Sequence, residues 1–201
     1  TTIGLAGIYH SLNQDSKAEP LYLRALTLWN EQGKSEDTDA VDAMIKLGEI
    51  YRFRSDNVKA AALYTHLLAI WEKTDKLDSP QAIAAQATLG EIFRAEGKFE
   101  DAEPLLAQSL KVTELTLGPN HLEVAARLNN LALLYYCEGK YSTADPLYKR
   151  ALEIRKKNLK PDNPAVMQTM QNYAQLLRQE GRIEDAEKVE ALAARSGTAL
   201  L

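Results

Sequence analysis

The residues of this 201-residue chain that could carry out chemistry are three histidines, one cysteine and a few dense clusters of acids and bases. Their spacing argues against most of that chemistry. A metal site on a helix needs two ligands on a common face, and none of His10, His66 or His121 has a second ligand at i+3 or i+4. Cys137 has no histidine nearby to activate it, so it reads as a small helical residue rather than a nucleophile. Glu100, Asp101 and Glu103, repeated as Glu184, Asp185 and Glu187, fall where helices begin, where the macrodipole favours acids; they read as capping charges, not a catalytic pair. Lys149, Arg150, Arg155, Lys156, Lys157 and Lys160 form the one basic cluster, mostly toward a helix C-terminus where cations are expected, which leaves phosphate binding a minor alternative. No glycine-rich phosphate loop and no Ser-His-Asp arrangement is present. The expectation is a chain that is not an enzyme and holds no metal and no cofactor.

Composition narrows the partners. A net charge of −4 argues against broad nucleic-acid or anionic-membrane binding, which needs an excess of Lys and Arg. No apolar run approaches the roughly 18 residues that span a bilayer, and the first residues lack the basic start and apolar stretch of a secretory leader. With a single cysteine, these features point to a cytoplasmic protein. Hydrophobic residues make up 45% of the chain, with Ala and Leu dominant, which favours helices and a packed core over disorder.

The elements follow from a period of 42 residues, at which an alanine recurs as Ala18, Ala60, Ala102, Ala144 and Ala186. Twelve positions upstream stand Ala6, Gly48, Gly90, Ala132 and Ala174, and three downstream Leu21, Leu63, Leu105, Leu147 and Val189. The fourth copy shows two helices. Leu128, Leu131, Ala132 and Tyr135 make one apolar stripe, and Ala144, Leu147, Tyr148, Ala151 and Leu152 another. Gly139 between them is the expected left-handed stop, with equivalents Asn13, Ser55, Gly97 and Gly181, of which Ser55 is the exception to cheap positive φ. Ala132 and Ala144 face each other so that the backbones approach closely. Aromatic columns, Tyr9, Tyr51, Phe93 and Tyr135 in one and Tyr22, Tyr64 and Tyr148 in another, fill the gap to the next pair. Ser79-Pro80, Asn120 with Glu123, and Asn163-Pro164 read as N-caps, and Pro20, Pro104 and Pro146 as first-turn prolines. The reading is one domain over 1–201 with about five repeats: a partial one at 1–37, then 38–79, 80–121, 122–163 and 164–201. Thr1 is in register with Arg127, inside a helix, so part of the first repeat is expected upstream.

This arrangement resembles the tetratricopeptide repeat. The long period, the strings LNNLALLYY and GKYSTADPLYKRALEI, and the connections LGPNHLEVA and LKPDNPAV are similar to the kinesin light chain variety of that repeat. The resemblance implies an all-α, right-handed superhelical solenoid of helix-turn-helix units acting as a protein-protein interaction scaffold. It implies a partner peptide, extended or short and helical, lying on a concave face lined by the first helix of each repeat. The inward positions by register are Ile45, Lys46, Glu49, Arg52 and Phe53; Ala87, Thr88, Glu91 and Arg94; Asn129, Asn130, Leu133, Tyr136 and Cys137; and Gln171, Asn172, Gln175, Arg178 and Gln179.

The expected peptide-binding residues are Lys46, Arg52, Arg94, Asn129, Asn130, Tyr136, Asn172 and Arg178. Asn130 and Asn172 share one column, where a side-chain amide both donates to and accepts from a peptide backbone. Arg52, Arg94 and Arg178 share another, interrupted by Tyr136, and offer forked donors to an acidic partner. Glu49 and Glu91 sit three residues before Arg52 and Arg94 as ordinary helix-surface pairs, whereas Arg178 follows Gln175 and is expected to be the freer guanidinium. A second reading makes these repeats the sensor region of a larger enzyme or transcription factor, binding a signalling peptide or an internal segment. A third is self-assembly through the ends of the stack, and the oligomeric state stays open.

Overall fold

The computed structural model describes residues 2–197 and places ten helices in them, with no strand among the described residues. They are α1 (Thr2–Ser11), α2 (Asp15–Glu31), α3 (Thr38–Phe53), α4 (Asn57–Lys73), α5 (Pro80–Ala95), α6 (Phe99–Leu117), α7 (Leu122–Cys137), α8 (Tyr141–Asn158), α9 (Pro164–Gln179) and α10 (Ile183–Gly197). Odd-numbered helices are the first of each pair, here called A, and even-numbered ones the second, B. The chain forms two compact units, residues 1–92 and 93–201. In the first, α1 packs on α2, α2 on α3 and α3 on α4; in the second, α6 packs on α7, α7 on α8, α8 on α9 and α9 on α10. The described residues are all-α and arranged in helical pairs, as the period leads one to expect.

The small-residue columns are where the pairs close. Ala6, Ala18, Ala60, Ala102, Ala132, Ala144 and Ala186 are completely buried. At Gly48 the approach is close: an added Cβ would lie 3.0 Å from Cζ of Tyr64. That leaves no room for even a methyl group unless the ring shifts. The larger side chains interlock around these points: Tyr148, Leu152, Met170, Tyr173 and Leu177 form one core with Ala132 and Ala144.

The A-to-B turns share one hydrogen-bond pattern. At Gly139 (φ 77°) the Gly139 N–H donates to the Tyr136 carbonyl at 3.0 Å and the Lys140 N–H to the Tyr135 carbonyl at 2.8 Å. Ser55 makes the same turn at φ 58°, with its N–H on Arg52 and the Asp56 N–H on Tyr51, both at 2.9 Å. The exception in sequence is therefore no exception in structure. The turn geometry overrides the residue, and a side chain sits in the left-handed region that costs roughly 1–2 kcal/mol.

Two local expectations are corrected. Ser79 and Asn163 cap as read, accepting from the N–H of Ala82 at 3.2 Å and of Ala165 at 2.9 Å. At α7, however, the cap is His121, whose Nδ1 accepts from the Glu123 N–H at 3.1 Å. Asn120 instead offers its carbonyl to the Asn158 amide at 3.5 Å. An imidazole nitrogen is an acceptor with the same short reach, so the chain starts the helix one residue later. The prolines also lie deeper than the first turn. Pro20, Pro104 and Pro146 are the sixth residues of α2, α6 and α8, where their absent N–H would have met the carbonyls of Ser16, Glu100 and Ser142. The helices continue past them.

Three junctions between pairs are stitched by an acid on a B helix. Glu103 accepts from the Tyr135 hydroxyl at 2.8 Å and lies 3.9 Å from the Lys140 ammonium. Asp145, one period later, accepts from the Tyr173 hydroxyl at 3.0 Å and from Arg182 at 3.2 Å. Glu19 receives Tyr51 and Arg54 in the same way. Burial, and next the bond to the carboxylate, push the phenols of Tyr51 and Tyr135 up to about 12.

Replacing Ser55 with Gly removes a Cβ from a left-handed residue and is expected to raise stability by about 0.5–1 kcal/mol, read as a higher urea midpoint at unchanged slope. The tyrosines set an alkaline limit. Because their folded pKa exceeds the ordinary value near 10, the stability they add is complete below pH ~10 and is lost as pH rises toward ~12. Urea midpoints measured between pH 9 and 12 should fall over about that window, and fall less steeply in Tyr51→Phe and Tyr135→Phe.

Candidate functional site

The A helices carry the polar and aromatic residues singled out by register, and the structure gives most of them neighbours. Lys46 is exposed on α3 with its ammonium 2.9 Å from Glu49, whose carboxylate also lies 3.6 Å from the His10 ring. Arg52 does not stay on its own helix: it donates to the Thr88 hydroxyl at 3.3 Å and lies 4.0 Å from Glu91 of α5. Arg94, near the end of α5, brings Nη1 to 3.7 Å from Cys137 Sγ. Tyr136 is half-buried, its ring 5.6 Å from that of Tyr141.

The asparagines form a ladder across two A helices. Asn172 donates from Nδ2 to Asn129 Oδ1 at 3.3 Å and accepts from Gln168 Nε2 at 3.0 Å. Asn129 is only 7% exposed, so it forms the floor of this surface. Asn130 is half-buried beside it. An amide has two donors and two acceptor lone pairs, so Asn172 retains capacity for a backbone after these bonds are made. It is nonetheless a structural tie as well as a surface group, which its place in a solvent-facing column did not indicate. Ala87, also read as inward, is 1% exposed and belongs to the core.

Arg178 is not the freer guanidinium. Nε and Nη2 hold the two oxygens of Glu190 at 3.0 and 2.8 Å, a forked pair that raises the arginine pKa and lowers that of the carboxylate. Glu190 comes from α10, twelve residues on, beyond the i−3 neighbour that spacing inspects. Three members of the basic cluster are engaged within the chain, while Lys156, Lys157 and Lys160 are exposed. Lys149 pairs with Asp145 at 2.6 Å and Arg150 with Glu114 at 2.5 Å. Arg155 is 9% exposed and donates to the Ala165 carbonyl at 2.8 Å and to the Thr169 hydroxyl.

A concavity on an A-helix face lies in the first unit, between α3 and α5. It is an open cleft of about 490 Å³ lined by Ile45, Glu49, Arg52, Phe53, Tyr64, Gln81, Ala84, Ala85 and Thr88. Phe53 ends α3 with 85% of its surface exposed. Its walls are apolar, while Arg52, Glu49, Gln81 and Thr88 supply polar groups. Phe53 was visible in register as an inward residue, but only the structure shows that it stands over a cleft. Among the described residues no group of three or more His, Cys, Asp or Glu could hold a metal ion, and no helix is long and apolar enough to cross a membrane.

Helix pairs with closely approached small residues and an A-helix face of polar and aromatic groups define a helical-repeat protein. The chain belongs to the tetratricopeptide repeat family, whose model matches residues 1–73, 81–157 and 138–195. Among solved structures its repeats are similar in fold to those of the kinesin light chain type. It is similar to BtubC of P. vanneervenii at 27% identity, over 98% of this chain and 78% of that one, with a TM-score of 0.84. Kinesin light chain-type repeats from Podospora anserina are 22% identical over 97% and 92% of the two chains, with a TM-score of 0.79. A Rap protein, in complex with competence and sporulation factor, is 16% identical over 97% of this chain and 52% of that one, with a TM-score of 0.71. No curated protein matches the sequence. The family is one of protein-interaction scaffolds and indicates no enzymatic class.

Asn172→Ala should cost about 1–3 kcal/mol, because it leaves the buried Asn129 carbonyl without its donor. Thermal unfolding compared with Asn130→Ala, which is expected to be milder, checks this.

Proposed function

We propose that the chain holds a partner peptide along its A-helix face and that the α3–α5 cleft receives one apolar side chain of that peptide. The supporting observation is Phe53, an aromatic left 85% exposed at the mouth of a cleft with apolar walls and a few polar groups. An aromatic anchor beside a pocket is the arrangement that concentrates binding energy in interfaces. Arg52 turns its guanidinium toward the same cleft and favours a peptide acidic beside its apolar residue. Asn130 and Asn172 would bind the peptide backbone, and Lys46, Arg94 and Tyr136 would border its path. Arg178 would engage an acid only by displacing Glu190. The repeats over 1–201 would then act as one interaction module.

Panning a displayed random-peptide library, followed by calorimetry with a selected peptide, tests this reading. Phe53→Ala is expected to weaken binding at least about tenfold, or ~1.4 kcal/mol, with little change in thermal stability because the ring is exposed. Arg52→Glu should weaken it further and reduce its salt dependence. Wild-type affinity in Phe53→Ala would place the peptide elsewhere.

A further inference from the structure

We propose that the edge of the second unit formed by the ends of α6 and α8 docks an acidic peptide segment of another protein, one that carries an apolar side chain, at a site apart from the A-helix face. Leu115 and Leu117 close α6 with 77% and 49% of their surfaces exposed. At intervals of one period the position of Leu115 holds Glu31, Lys73 and Lys157, charges that suit a solvated helix end. An exposed leucine standing alone needs no explanation, but Leu117 also walls an open groove of about 490 Å³, shared with His121, Leu122 and Asn158. Arg150 fixes α8 against this edge, pairing with Glu114 at 2.5 Å and donating to the Pro119 carbonyl at 3.2 Å. Beside the leucines α8 thus places Lys157, the periodic equivalent of Leu115, and Lys156, with Lys160 following in the next loop. These three lysines and Lys111 of α6 are exposed, and none pairs with an acid among the described residues. Glu153 is the one acid between Lys149 and Lys160. In a chain whose net charge is −4, this edge is locally basic and selects an acidic partner.

The polar groups of the groove suit a polypeptide backbone. His121 Nδ1 accepts from the Glu123 N–H at 3.1 Å, so in the neutral ring the proton lies on Nε2, which makes Nε2 a donor. Asn158 spends its Nδ2 on the Ile154 carbonyl at 2.8 Å and the Asn120 carbonyl at 3.5 Å, which keeps its side-chain oxygen as an acceptor. A donor and an acceptor in one groove match the C=O and N–H of an extended segment, and the leucines meet its apolar side chain. A lipid surface has no backbone for these groups to bind. Two leucine side chains also fall short of the single acyl chain that holds a protein to a membrane only marginally.

The probe is a displayed random-peptide library, panned on the full chain carrying Phe53→Ala and depleted on the same chain carrying Leu115→Ser and Lys157→Glu as well. The enriched sequences are expected to combine Asp or Glu with Leu, Ile or Met. A selected peptide, labelled with fluorescein, should bind Leu115→Ser at least about tenfold more weakly than the parent. It should bind Lys157→Glu several-fold more weakly and with a shallower salt dependence. Thermal unfolding should be unchanged in both, because both side chains are exposed. A library that yields no sequence sensitive to the depletion, or a selected peptide that binds both variants like the parent, would overturn the assignment. Sedimentation with phosphatidylserine vesicles that is lost in the same variants would also overturn it, giving the edge to a lipid surface. Phe53 is absent throughout, so failure here leaves the α3–α5 cleft untouched, and failure of the cleft leaves this result standing.

Discussion

Close approach of the two helices within each pair is the constraint on which the structure depends. Alanine at Ala18, Ala60, Ala102, Ala144 and Ala186, with a small residue opposite, lets backbones come near enough for Tyr64 to lie over Gly48 and for Tyr148 to be engulfed. A helix pair of this length cannot bury its apolar face alone, so the same approach that closes a pair also fixes where its aromatic side chains emerge toward the next. The acids on the B helices are placed by that geometry. Glu19, Glu103 and Asp145 meet a hydroxyl and a cation from the following pair because the pairs already sit at a set spacing.

The fold was legible because its determinants repeat. A small residue, an aromatic and a turn residue recurring at one interval survive individual substitutions, and even the serine at position 55 adopts the backbone of its glycine equivalents. The candidate site was legible only in outline. Register told which residues lie on the A-helix face, since that depends on helical periodicity alone. It did not tell which were already engaged. Arg178 with Glu190, Asn172 with Asn129 and Arg52 with Thr88 are pairings between helices, and the spacing rules that detect helix-surface partners reach only three or four residues. Burial misled in the same way at Arg155, which reads as the start of a basic run and is instead enclosed.

The engaged groups also shape how a ligand would be received. A guanidinium already forked to a carboxylate discriminates against weak anions, since an incoming acid must match a partner held close by in the same chain. A surface built of such occupied donors gives its free energy to specificity more than to affinity. The cleft beside Phe53 is the opposite case, with walls that are mostly apolar.

Arg155 has a consequence for how such arrays can evolve. At intervals of one period its position holds Trp29, Trp71, Thr113 and then Arg155, three unrelated side-chain chemistries at four equivalent points. Arg155 is accommodated only because the Ala165 carbonyl and the Thr169 hydroxyl wait in the following helix. Setting α8 before a repeat without the Thr169 hydroxyl would leave that cation short of an acceptor, and an uncompensated buried charge is heavily penalised. The repeats look interchangeable by their alanines, yet their joints are keyed. Order along the chain is thereby written into the interfaces, and the array can lengthen by recombination only where the key is preserved.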